Sequence, residues 1–470
     1  MKPTGGWRTR ALLLVPLVFY LVFPTRNYYW DGVRFAIEIE KNLPLSALVQ
    51  PNHLIYELCG AWLYDAFDGM GFPIRALYLM QAANCVLAGL AVMLVYLCAR
   101  RKGWPGEQAL LAAWILGFSA TWWKFASDAN AYVPAVFLLL CAYALSGSPR
   151  WVWLAGLATA GAMLFHELAI FFLPVGLLVF WRRRRAMLTY LATAVAPVAG
   201  AYVWAYQAAR PPEGFLRWVT SHSADSAFSF NPLKDLGYTL RGTLRLFFGG
   251  RWPDLVLNPL SVAVCALLGI AAIALVFYAW RELPWKWTPP RPALIWWVAI
   301  YVAFLFFWMP QNTFYRLFYL APLILILTPR ANRAGAMFAA VILLWNFAFL
   351  VYPESHPGFN APLRFALAQQ ARWPAGSAIV FHRFHPDLWT ISYFNPQASW
   401  IGLDGPDLSE IERDLDYAHS QNKPLWVEET AYNLLAASPD GRQWLMKHEH
   451  PEELVRFKDE KHEFVFHSMR

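Results

Sequence analysis

Ala76-Leu77-Tyr78-Leu79-Met80-Gln81-Ala82-Ala83-Asn84-Cys85-Val86-Leu87-Ala88-Gly89-Leu90-Ala91-Val92-Met93-Leu94-Val95-Tyr96-Leu97-Cys98-Ala99 runs without one charged side chain and is closed by Arg100-Arg101-Lys102. A helix needs about 20 mainly apolar residues to cross some 30 Å of hydrocarbon. The stretch therefore reads as a membrane span, with its basic end in the cytoplasm. Working outward, similar runs recur at 8–24, 107–126, 131–147, 151–166, 168–181, 186–206, 255–280, 293–309, 316–329 and 335–352. The expectation is about eleven spans, the short pair at 151–181 being the weakest.

Composition agrees. The chain of 470 residues is 58% hydrophobic and 15% charged, against about 25% charged in soluble domains. The net charge of +8 sits in short clusters between apolar runs, such as Arg182 to Arg185. That is the pattern of cytoplasmic loops, and it argues against nucleic acid as a partner. Cys59, Cys85, Cys98, Cys141 and Cys265 show neither a disulfide framework nor metal spacing. Arg8 and Arg10 before Ala11–Pro24 resemble a signal peptide. The aromatic, polar Thr25–Trp30 that follows offers no cleavage site, so this is read as an uncleaved first span.

With the N-terminus inside, the inner segments hold Lys2, Arg8 and Arg10; Arg100 to Lys102; Arg150; Arg182 to Arg185; Arg281, Lys286 and Arg291; and Arg330 and Arg333. The connections at 124–130, 166–167 and 310–315 are nearly free of Lys and Arg and fall outside. The long segments 25–75, 207–254 and 353–470 also land outside. Leu54, Leu58, Trp62 and Leu63, beside Glu57 and Asp65, predict an amphipathic helix on the membrane surface. Leu236, Leu240, Leu244, Phe247 and Phe248 predict another, with Arg241 and Arg245 on its other face toward headgroups or an anionic ligand.

From residue 353 charged residues and turn formers return. Strands are expected at 378–381, 400–403, 425–427 and 464–466, with helices at 361–372, 408–420 and 429–436, which makes a small α/β domain. The domain expectation is thus 1–352 for the membrane part, with external loops 25–75 and 207–254, and 353–470 for the external domain.

Four features carry possible chemistry. Asp31 follows the first span, and Asp128 ends the third at similar depth. Such a pair can divide proton acceptance from orienting an acceptor or holding a divalent cation, Mg or Mn. By position alone, each reads first as a solvated loop acid or helix cap. In Pro51-Asn52-His53-Leu54-Ile55-Tyr56, His53 can bind an anion or shuttle a proton, or simply start a helix. His166-Glu167 interrupts apolar sequence at an outer turn, as a turn-capping pair or part of a pocket. Tyr315-Arg316 opens a late span with an outward-facing arginine, suited to phosphate or merely snorkelling to the interface. The His-x-x-His of His382 and His385 lacks matched Cys or Asp ligands for zinc. Ordinary surface roles are read for it and for His356, His419, His448, His450, His462 and His467.

In this order along such a topology, Asp31, the surface helices after it, Asp128 and the late Tyr315-Arg316…Pro322 start resemble the GT-C superfamily of polyprenyl-phosphate-sugar glycosyltransferases. That family includes protein O-mannosyltransferases and the lipid A aminoarabinose transferase. Residues 51–56 look like the His-Pro-Pro-type segment of some members. Mannosyltransferases often show Asp-Glu where this chain has Asp31-Gly32, so one neighbouring acid is missing. The resemblance implies a GT-C-like bundle and sugar transfer from a polyprenyl-phosphate donor to a glycan, lipid or protein acceptor on the outer side; the Arg-rich loops and the lack of eukaryotic retention signals point to a bacterial inner membrane. Asp31 would be the general base and Asp128 the acceptor or metal holder. Arg316, with Arg241 or Arg245, would bind the donor phosphate. His53, His166, Glu167 and Tyr315 would line the pocket. A polysaccharide polymerase or ligase, a lipid-linked-sugar flippase or transporter, and a non-catalytic scaffold remain alternatives, the flippase disfavoured because the ionisable residues gather at the outer interface.

Overall fold

The computed structural model describes residues 7–212, 214–224, 228–250, part of 259–277, 292–328, 333–369, 373, 376–458 and 462–469. They form two compact units: Met1–Thr25 with Glu38–Pro353, and Arg26–Ile37 with Glu354–Arg470.

The first unit is helical. Among the described residues three helices are long and apolar enough to cross a membrane: Ala76–Arg101, Arg184–Ala209 and Gly335–Ser355. Gly106–Phe118 and Ala120–Ala126 make a fourth crossing if the pair, bent by 67°, is one span. Ala11–Val22, Tyr132–Leu145, Glu167–Phe180, Pro292–Phe307 and Phe314–Leu327 are shorter apolar helices, as is Val152–Phe165. Every expected span within the described residues is therefore a helix. Full-length crossings are fewer than the eleven or so expected, and the span expected at 255–280 falls mostly outside the described residues.

Two breaks shape the unit. Buried Ser119 takes an extended conformation between its two helices and turns its hydroxyl back onto the Ile115 carbonyl. His166 is likewise extended and ends Val152–Phe165. Close helix packing is set by Gly176, where a Cβ would lie 2.2 Å from the Tyr190 ring. Small residues allow such approach where no hydrophobic drive separates helices from lipid. The Tyr190 hydroxyl meets Thr159 Oγ1 at 3.1 Å. Fully buried Trp123 is ringed by Phe19, Tyr20, Phe118 and Phe347. Buried Asn346 donates to the carbonyls of Phe118 and Phe247 and accepts from the Gly249 N–H.

The first expected surface helix is Tyr56–Gly69, and it departs from the expectation at Glu57. Tyr56, Glu57 and Gly60 are buried, while Trp62 is 71% exposed. Gly60 lets the helix lie against Ile39 and Met80. Glu57, expected on the polar face, is enclosed, and Trp62 is free to meet the lipid interface.

The second unit holds a five-stranded sheet in the order β2-β1-β3-β5-β4. The strands are β1 (Ala378–His382), β2 (Ser399–Leu403), β3 (Leu425–Glu428), β4 (Glu449–Lys458) and β5 (Glu463–Met469). β1 pairs parallel with β2 and β3, and β5 pairs antiparallel with β3 and β4. The connecting helices include Pro386–Tyr393, Glu412–Ser420 and Glu429–Ala437. The buried core is Val380, Leu403, Leu415, Val427 and Leu435 with their neighbours, and Phe365 stacks on Phe464 and Phe466. Arg26–Ile37 joins this unit through the Arg26 N–H on the Glu354 carbonyl, Asn27 on the Glu354 carboxylate, and Tyr28 stacked on Phe394.

Candidate functional site

In the first unit Tyr132 gathers the sequence-predicted ring residues. His53 and His166 approach edge to face at 4.8 Å between centroids, and Tyr132 lies 4.8 Å from His166 and 6.3 Å from His53. Tyr315 is 6.0 Å from both His166 and Tyr132, and Phe318 packs on His166 at 5.2 Å. His53, His166 and Tyr132 are all buried. Local structure explains the meeting. Pro51–His53 is a single 3-10 turn pinned by the Tyr202 hydroxyl on the Pro51 carbonyl. His166 sits at the break before the 3-10 helix Glu167–Phe172, where its Nδ1 accepts the Leu168 N–H. An Nδ1 that accepts places the proton of the neutral ring on Nε2, which is then a donor. His166 thus both caps a turn and joins a cluster, while half-buried Glu167 opens the 3-10 helix.

Asp128 is buried, and its loop is tied down from the helix quoted at the outset. Asn84 Nδ2 donates to the carbonyls of Asp128 and Asn130, both at 2.8 Å. Gln81 Nε2 donates to those of Ser127 and Thr25. Asp128 Oδ1 accepts the Ala129 N–H at 2.8 Å. Burial, with the Asp128 charge adding to it, holds the Tyr56 phenol well above its ordinary range, so Tyr56 stays protonated beside the carboxylate. Asn84, Gln81, Tyr56 and Tyr132 received no role from sequence alone. The usable signal was two amides inside an otherwise apolar span.

Arg316 differs from the outward-facing residue expected: it is 0% exposed. Its guanidinium donates to the Pro310 carbonyl at 2.7 Å and the Tyr319 hydroxyl at 3.1 Å, and Nε has no hydrogen-bond partner among the described residues. It is enclosed because Gly242, on the helix Pro232–Phe247, has no side chain to occupy that space. A Cβ there would stand 2.3 Å from Nε. The same helix turns Asp235, Gly242 and Leu246 inward and leaves Leu233, Leu240 and Leu244 exposed. Asp235 Oδ1 accepts the Ser229 hydroxyl. Arg241 and Arg245 are exposed one turn apart, and partial burial together with the Arg241 charge lowers the Arg245 pKa. Like charges at that spacing repel, and an anion relieves the repulsion.

Asp31 lies in the second unit, half-buried in the first turn of the helix Trp30–Glu40, where a carboxylate complements the helix dipole. Among the described residues no three or more His, Cys, Asp or Glu side chains gather to hold a metal ion.

No protein-family model matches the sequence, and no curated protein matches it. Among solved structures, ArnT from Cupriavidus metallidurans bound to undecaprenyl phosphate aligns over 98% of this chain and 98% of its own, with a TM-score of 0.62 at 12% identity. The chain shares the fold of ArnT. The apo state of ArnT aligns over 98% and 97%, with a TM-score of 0.54 at 13% identity. Arabinofuranosyltransferase AftD from Mycobacteria aligns over 98% of this chain and 40% of its own, with a TM-score of 0.43 at 14% identity. The resemblance to GT-C enzymes read from the sequence is thus a resemblance of fold, and the ArnT fold extends through both units of this chain.

Proposed function

We propose that the chain is an integral membrane glycosyltransferase. It would move a sugar from a polyprenyl-phosphate donor to a glycan, lipid or protein acceptor on the extracytoplasmic side of a bacterial inner membrane. The observation that carries this reading is the end-to-end fold likeness to a protein solved with undecaprenyl phosphate bound. The arginines of the first unit support it, since a phosphate leaving group needs charge stabilisation more than protonation.

In the proposed reaction the acceptor hydroxyl gives its proton to the Asp31 carboxylate. Its oxygen attacks the anomeric carbon, and the carbon–oxygen bond to phosphate breaks with inversion. The polyprenyl phosphate leaves with the electron pair. Arg316, Arg241 and Arg245 stabilise the charge that gathers on the phosphate, and Asp128 orients the acceptor. His53, His166 and Tyr315 shape the pocket wall around Tyr132, with Glu167 at its turn. Asp31 and Asp128 are the residues that would hold a divalent cation, Mg or Mn.

Purified protein supplied with a lipid-linked sugar should release free polyprenyl phosphate by transfer or slow hydrolysis. General-base catalysis contributes about 10²–10⁴-fold, so Asp31→Asn should lower that rate at least about 100-fold, while the loss of one charge at a helix start costs only about 0.3–1 kcal/mol of stability. Undiminished turnover in Asp31→Asn would remove this residue from the mechanism.

A further inference from the structure

A cavity of about 420 Å³ lies in the first unit at the Arg101 end of the span Ala76–Arg101, the end read as cytoplasmic. It is lined by Cys98, Arg101, Tyr143, Leu145, Ser148 and Trp151, with Ala144 and Gly147 closing the wall. We propose that this cavity binds the phosphate headgroup of an anionic membrane lipid.

Four observations carry the assignment. Arg101 ends the long span Ala76–Arg101, and one arm of its guanidinium is anchored at 2.6 Å on the Ala144 carbonyl. Its other N–H groups make no hydrogen bond to a described residue, which leaves a pre-oriented fork of the shape that suits phosphate. Among the described residues no carboxylate lines the cavity, and Arg100, Lys102 and Arg150 flank it in sequence. Trp151 forms an aromatic wall and carries Arg150 above its ring at 5.0 Å, an arrangement suited to the headgroup level of a bilayer. Finally, Cys98, Tyr143 and Leu145 add apolar surface to a wall that is about evenly polar and apolar, which suits a ligand with a phosphate pole and a hydrocarbon body better than a free phosphate. Basic pockets between spans on the cytoplasmic side recur as headgroup sites. The inference is independent of the transferase reading and rests only on the topology.

Native mass spectrometry of the full chain, released from detergent with phosphatidylglycerol, phosphatidylcholine or glycerol 3-phosphate present, tests it. The wild type should retain phosphatidylglycerol in preference to phosphatidylcholine, and glycerol 3-phosphate should not displace it. Losing a charge-assisted pair is worth a factor of roughly ten, so Arg101→Gln should lower retention about tenfold. Arg182→Gln, which removes the same charge at another inner loop, should leave retention unchanged. Equal retention in Arg101→Gln and wild type, an equal loss in Arg182→Gln, or displacement by glycerol 3-phosphate would overturn the proposal. On the unaltered protein, a photoactivatable phosphatidylglycerol should crosslink within residues 98–101 or 143–151. Absence of adducts from both segments would overturn it as well.

Discussion

A guanidinium removed from water without a carboxylate beside it is costly, and Arg316 is in that position, held by one carbonyl and one hydroxyl. Its type and place were legible in the sequence, but its enclosure was not, because enclosure depends on Gly242 in a helix remote along the chain. Gly242→Ala should therefore act through Arg316. Overpacking costs about 1–3 kcal/mol, so the melting temperature should fall and binding of undecaprenyl phosphate should weaken. A variant unchanged in both would separate Gly242 from Arg316. Tyr56 makes a second test. Its raised phenol pKa lies above the ordinary value of about 10, so the proton is retained as pH rises through the physiological range. Tyr56→Phe should lower the transfer rate while leaving the shape of the pH profile between about 6 and 9 unchanged. A basic limb that disappears in Tyr56→Phe would contradict that assignment. The histidines were legible as candidates, yet their meeting point, Tyr132, was not. Nothing in Asn130-Ala131-Tyr132 distinguishes a ring-gathering tyrosine from any other interfacial one.

Elements followed the sequence where one physical signal dominated, and departed from it where two competed. Apolar runs without charge became helices because the backbone must satisfy itself in lipid. The 67° break at Ser119 leaves no mark in the sequence, because residues 109–123 carry no charge and no proline. Strands β1, β2, β3 and β5 were visible as apolar runs, but β4 was not. Its Glu449-His450-Pro451-Glu452-Glu453 start is charged and holds a proline, as an edge strand permits, and β4 is the last strand of the sheet. In the Tyr56–Gly69 helix exposed Trp62 agrees with the surface helix expected, and enclosed Glu57 does not, since a buried glutamate is indistinguishable by periodicity from an exposed one. At this scale Asn346 is the sharpest test. Its amide serves three backbone groups, at Phe118, Phe247 and Gly249. Each buried group left unsatisfied costs about 1–3 kcal/mol, so Asn346→Leu should lower the melting temperature in detergent by several degrees. An unchanged melting temperature would mean that water replaces the side chain there.

For the molecule as a whole, composition and apolar runs were enough to expect helices that can cross a membrane and a small α/β domain, and the described residues hold both. Such a fold tolerates nearly complete sequence change, as the 12% identity to ArnT over the full length illustrates. Assignment of Arg26–Ile37 to the second unit was beyond the sequence, since it depends on Tyr28 finding Phe394 hundreds of residues away. The exposed leucines of Pro232–Phe247, by contrast, agree with the surface helix expected from their spacing. The measurement that bears most directly on the proposed donor is native mass spectrometry of the purified protein with undecaprenyl phosphate. One lipid phosphate should bind the wild type, and its retention should fall at least about tenfold in Arg316→Gln, since hydrogen bonds to charged groups are worth about 1.5–3 kcal/mol. Failure of the wild type to retain the isoprenoid phosphate, or equal retention by Arg316→Gln, would contradict the account.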